Sequence, residues 1–123
     1  MPNKSRWTSD DTPLTEERVA AKFRRDSSTR FVKNTYPVGQ WVQGNCATST
    51  WVVLKGACKV VFYQHEEQKP VDEEAFWRSE GWTLHSGDKL ETERTRYVLT
   101  ALPDEAEVVV LTVFDVTGIK ACS

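Results

Sequence analysis

At 123 residues with 39% apolar and 28% charged side chains, the chain is long enough for one domain that buries roughly two-thirds of its unfolded surface. No apolar run reaches the length of a membrane span, and Met1-Pro2-Asn3-Lys4-Ser5-Arg6 lacks the apolar core of a signal peptide, so a cytoplasmic protein is expected. The net charge of −2 hides an asymmetry, with eight basic against five acidic residues in 1–33 and eight against thirteen in the remainder. An acidic body with so little aromatic interleaving in its basic arm argues against nucleic-acid binding.

Met1 to Asp11 lacks periodicity and reads as a flexible lead-in whose Trp7 docks on the body. Thr12 as N-cap, Pro13 at the first helical position, and Glu16 and Glu17 in the first turn then predict a short helix that closes near Arg24 and Arg25. Leu14, Val19, Ala20 and Phe23 give it an apolar stripe.

From Arg30 the period changes to two. Strands are predicted near Arg30–Tyr36, Gln40–Asn45, Thr50–Leu54 and Cys58–Gln64, and again near Glu74–Leu84, Lys89–Thr92, Tyr97–Ala101 and Glu107–Phe114. Lys55-Gly56 reads as a tight hairpin turn, and His65–Asp72 as a charged loop. The division is an N-terminal arm and helix over 1–29, a β-barrel over 30–116 and a tail over 117–123. Short strands at this spacing imply an all-β barrel or jelly roll.

The stretch from Thr50 through Lys55-Gly56 to Val60 resembles the strand, glycine turn and strand of the first cupin motif. Gly87-Asp88-Lys89-Leu90 and the closing strand after Pro103 resemble the second. The chain is similar over Phe31 to Val116 to small single-domain cupins related to the N-terminal domain of tellurite-resistance proteins. That resemblance implies a cupin-like double-stranded β-helix, a jelly-roll barrel, and pairing as a homodimer.

Cupin chemistry requires histidines and a carboxylate converging on one ion. By the family's spacing the carboxylate position falls on Ser49, and the paired histidines fall on Gln43 and Asn45, or on Val42 and Gly44 with a longer turn. The last histidine position falls on Val98, beside Arg96 and Tyr97. Amides and hydroxyls are poor ligands for a transition metal, so no metal and no cofactor are expected.

The two histidines sit elsewhere: His65 in the charged loop, where a solvated role is expected, and His85 at a strand end near the barrel rim. Glu91 and Glu93 share a strand face with Arg94 and Arg96 nearby, which reads as an ion-paired surface. Cys46 and Cys58 read as small core residues and Cys122 as part of the tail. Trp41 and Trp51 read as core, and Trp77 and Trp82 as core or as a partner surface on one strand.

Three readings follow. The first is a non-catalytic cupin-like domain whose Gln43, Asn45, Ser49, Arg96 and Tyr97 bind a small molecule, Arg96 favouring an anion, or a protein partner. The second is a metal-dependent oxygenase or isomerase with atypical ligands. The third is a dimeric interaction protein using the strand through Trp77 and Trp82.

Overall fold

The computed structural model describes residues 3–6, 15–23, 29–46 and 48–115. Two antiparallel sheets face each other, built from β1 (Asn3–Arg6), β2 (Thr29–Pro37), β3 (Val42–Cys46), β4 (Ser49–Lys55), β5 (Ala57–Tyr63), β6 (Trp82–His85), β7 (Asp88–Thr92), β8 (Thr95–Ala101) and β9 (Glu107–Asp115). One sheet runs β1-β7-β4-β9-β2 and the other β3-β8-β5-β6. From β2 onward every connection except β5 to β6 therefore passes from one sheet to the other, which is how a jelly roll closes.

That topology changes the meaning of Lys55-Gly56. β4 and β5 do not pair, so the turn is a corner between sheets and not the hairpin expected from sequence. Gly56 has φ +77 and its missing Cβ leaves room for the Glu107 carbonyl, a position no side chain can share. Its own carbonyl accepts from the Ser86 N–H at 3.0 Å, tying the corner to the neighbouring turn.

Two further expectations are corrected. Part of the N-terminal lead-in is strand: β1 pairs with β7, Lys4 opposite Leu90, and Lys4 Nζ donates to the Thr83 carbonyl at 3.2 Å across to the other sheet. The predicted strand Glu74–Leu84 is instead helix α2 (Glu73–Arg78) followed by β6. Asp72 caps it by accepting from the Ala75 N–H at 2.8 Å, Glu73 and Glu74 occupy its first turn, and Ser79 Oγ donates back to the Ala75 carbonyl at 2.7 Å. Trp77 and Trp82 thus do not share a strand, which removes the surface on which the strand-mediated dimer was built. Thr12, Pro13, Trp7 and Cys122 lie outside the described residues.

Each sheet buries its outer face under one helix. Helix α1 (Glu16–Phe23) sets fully buried Val19 against Val52, Leu111 and Val113 on the larger sheet, and Glu16 meets Lys33 of β2 at 3.3 Å. Helix α2 sets Phe76 against Val61, Tyr63 and Val98 on the smaller sheet, with the Trp41 ring 5.2 Å away edge-on. Lys59 fastens α2, its Nζ donating to the Trp77 and Ser79 carbonyls at 2.9 and 2.8 Å and lying 5.3 Å from the Phe76 ring. Burial pulls the Lys59 pKa below its ordinary value. No helix among the described residues is long and apolar enough to cross a membrane.

Candidate functional site

The period of two decides which side chains enter the barrel. On β3, Cys46 is buried in the interior cluster and Val42 packs against it, so Gly44 faces in while Gln43 and Asn45 face out and are exposed. On β8, Tyr97 and Leu99 face in, so Arg96 and Val98 face out. Val98 is sealed under α2, and Arg96 Nη1 donates to Glu66 Oε2 at 3.2 Å on the surface.

The residues proposed from sequence therefore do not form one site. Gln43, Asn45 and Arg96 are on the outside, one register step from the interior. Ser49 is buried, but its hydroxyl is engaged with Thr92 Oγ1 at 2.9 Å across the β4–β7 pair. Tyr97 alone of the five lines the interior cavity. The signal that separates them is local: Val42-Gln43-Gly44-Asn45-Cys46 alternates apolar or small with polar, and its apolar set belongs inside.

The interior has a packed side and an open side. Cys58, Val60, Leu84, Leu90, Ala101 and Val108 fill the first. Next to them lies a cavity of about 350 Å³. Its wall on the larger sheet is Val32, Asn34 and Tyr36 of β2 with Val110, Thr112 and Phe114 of β9. Across from that wall stand Cys46 of β3 and Tyr97 and Leu99 of β8, and Trp51 of β4 completes the lining. None of these side chains is charged.

Registry orders the wall. Trp51 is opposite Thr112, which is opposite Val32; Asn34 is opposite Val110 in the next row. At the outer end Arg30 is opposite Phe114, on the same face of β2 as Val32, and this places a cation at the rim that sequence reading had not singled out. Val32 is 43% exposed and marks the mouth.

Rings dominate the interior. The Tyr97 ring stands edge-on to Trp51 with centroids 5.0 Å apart, and Phe62 lies 5.8 Å from Trp51 on its other contact. Tyr97 reaches this position because Gly44 opposite it has no side chain; a Cβ there would stand 2.8 Å from the Tyr97 hydroxyl oxygen. Trp51 is 4% exposed, and its indole Nε1 has no hydrogen-bond partner among the described residues.

A cupin metal does not fit this lining. The interior positions near the family's ligand sites hold Val42, Gly44, Cys46, Ser49 and Tyr97, a single thiol among hydroxyls and apolar groups. No three His, Cys, Asp or Glu side chains gather anywhere among the described residues. His65 is exposed, and His85, 61% exposed, closes β6 with Nδ1 3.9 Å from Asp88 Oδ2 on the outside of the corner. Glu91 is exposed and meets Lys89 at 3.4 Å.

Both described cysteines are buried thiols that form no disulfide, but they differ in setting. Cys58 is fully buried on the packed side, and burial, with Asp88 adding to it, raises its thiol from 9.0 to about 12. Cys46 lines the cavity and its Sγ lies 3.8 Å from the Glu93 carbonyl oxygen.

The chain matches no family model and no curated protein. Its structure is similar to the crystal structure of a cupin 2 domain-containing protein from Halorhodospira halophila, with a TM-score of 0.61 and 11% identity over 99% of this chain and 80% of that one. At that identity the likeness shows the fold: this is an all-β cupin jelly roll.

Proposed function

We propose, on the premise of a cupin barrel whose ligand positions carry no metal set, that the domain binds a small, largely apolar molecule inside the barrel without transforming it. The supporting observation is the cavity of about 350 Å³ with a wholly uncharged, ring-rich lining, within the size range of small-molecule sites. The lining holds no imidazole and no carboxylate to move a proton, and its one thiol has neither beside it in the wall. The preference for an anion that rested on Arg96 does not carry over, because Arg96 is spent on Glu66 outside the barrel.

The test uses the neutral fluorescent probe N-phenylnaphthylamine. Saturable fluorescence enhancement by the folded protein, abolished by the cavity-filling substitution Val110→Trp, is expected. A folded protein that gives no saturable enhancement, or a Val110→Trp variant that binds as well as the parent, overturns the reading.

A further inference from the structure

One wall of the cavity carries polar groups that the fold does not use. Asn34 lies on the face of β2 that also bears Val32 and Tyr36, and all three line the cavity. Beyond its Cβ an asparagine has only its carboxamide, so the amide is what Asn34 brings to the wall. Its side chain makes no hydrogen bond with another described residue. Both polar atoms of the amide nevertheless keep accessible surface, because the Trp51 indole nitrogen alone is buried without a partner among the described side chains. The same holds for the Thr112 hydroxyl on β9.

Strand pairing sets these two groups side by side. Val32 is opposite Thr112 and Asn34 is opposite Val110, so Asn34 and Thr112 are diagonal neighbours on the cavity face. A carboxamide offers a donor and an acceptor together, and the edge that matches it carries the opposite pair. A ligand that displaces water from Asn34 and replaces only one of the two bonds leaves the other group desolvated and unpaired, which costs more than the bond itself contributes. Tyr36, Tyr97 and Phe114 put rings around this point, and rings favour a flat occupant. No charged side chain lines the cavity, so an ionised ligand would lose water there without a counter-charge beside it.

We infer that Asn34 is the specificity-determining residue of the cavity, and that the occupant is a flat, uncharged heterocycle whose edge carries an N–H beside a C=O, as a lactam does. The Asn34 amide donates to that carbonyl and accepts from that N–H. This rests on the reading of the cavity as a ligand site and adds to it an orientation and a chemical class. A lactone of the same shape fills the same space and keeps the carbonyl, but has no proton for the Asn34 oxygen. Filling the space and matching the amide are therefore separable quantities.

The experiment compares quinolin-2-one with coumarin, which share a bicyclic frame and a carbonyl and differ in a ring N–H against a ring oxygen. Calorimetry on the wild-type protein should show the lactam binding about tenfold more tightly, the worth of one buried hydrogen bond. In Asn34→Leu that advantage should vanish. In the ¹⁵N-labelled wild type a side-chain amide proton of Asn34 should move downfield as quinolin-2-one is added, which decides the matter even if Asn34→Leu fails to fold. Equal affinities in the wild type, an advantage retained in Asn34→Leu, or unmoved Asn34 amide protons would overturn the inference while leaving the cavity reading intact. So would a protein that binds N-phenylnaphthylamine but neither bicycle. If folded protein binds none of the three, the cavity reading falls and this inference falls with it.

Discussion

The two sides of one barrel interior have been built to different ends. On the packed side, Cys58, Val60, Leu84 and Leu90 are all fully buried and interlock between the sheets. On the open side, Val32, Asn34, Tyr36, Thr112 and Phe114 project from the same faces of β2 and β9 but leave about 350 Å³ unfilled, and Val32 is 43% exposed. Strand β9 runs through both: Val108 is core and Phe114 is rim. The difference teaches that one strand pattern can build a core at one end and a receptacle at the other, depending on whether the facing sheet brings large side chains to meet it.

If that contrast is right, truncations on the two sides must have unequal costs. Leu84→Ala, which empties a packed site, should destabilise by about 3 kcal/mol, whereas Val32→Ala at the mouth should cost under about 0.5 kcal/mol, both measured by urea unfolding. Equal losses would abolish the distinction. Gly44→Ala sharpens it from the open side: the added methyl meets the Tyr97 hydroxyl at 2.8 Å and must push the ring toward the cavity. A loss of about 1–2 kcal/mol with weakened N-phenylnaphthylamine binding is expected, and unchanged binding would mean that Tyr97 does not shape the cavity.

Reactivity separates the two sides without altering either. Cys58 has its thiol held protonated by burial, while Cys46 borders open space. Native-state alkylation with iodoacetamide, read by peptide mass mapping, should modify Cys46 at least about tenfold faster than Cys58, and an occupant of the cavity should slow only Cys46. Equal rates would indicate that both thiols are reached by unfolding alone.

Much of the scaffold was legible in the sequence because it is written in period two and in turn residues. The strand runs Trp51 to Leu54 and Val108 to Phe114, and the glycines at 56 and 87, carry the cupin pattern in local order. What failed did so for identifiable reasons. Phe76, Trp77 and Trp82 raised the strand signal over a segment whose Asp72 cap and Glu73-Glu74 first turn specify helix α2, so aromatic content outweighed capping chemistry. Gln43, Asn45 and Arg96 were placed by counting from a family's spacing, and an offset of one residue moves a side chain to the opposite face. The cavity wall on β2 and β9 was not readable at all, since Asn34 and Thr112 become neighbours only through a pairing that joins residues far apart in the chain.

The pH dependence of stability is the response most specific to the packed side. A thiol that ionises near 9.0 in the unfolded chain but near 12 when folded keeps its proton in the native state while the unfolded state releases it. Over that window the unfolded state binds fewer protons, so stability is fully present below about pH 9 and falls as pH rises toward 12, by at most about 1.4 kcal/mol per pH unit. Lys59 works the other way, because its lowered pKa makes the unfolded state hold the proton longer and adds stability as pH rises toward its ordinary 10.5. The total slope therefore mixes opposing contributions, and the informative quantity is the difference between wild type and Cys58→Ala, measured by urea unfolding from pH 8 to pH 10.5. Cys58→Ala should be less stable at pH 8 and should close part of that gap by pH 10.5. Parallel curves would mean that water reaches Cys58 in the native state, and the packed side would then be no drier than the open one.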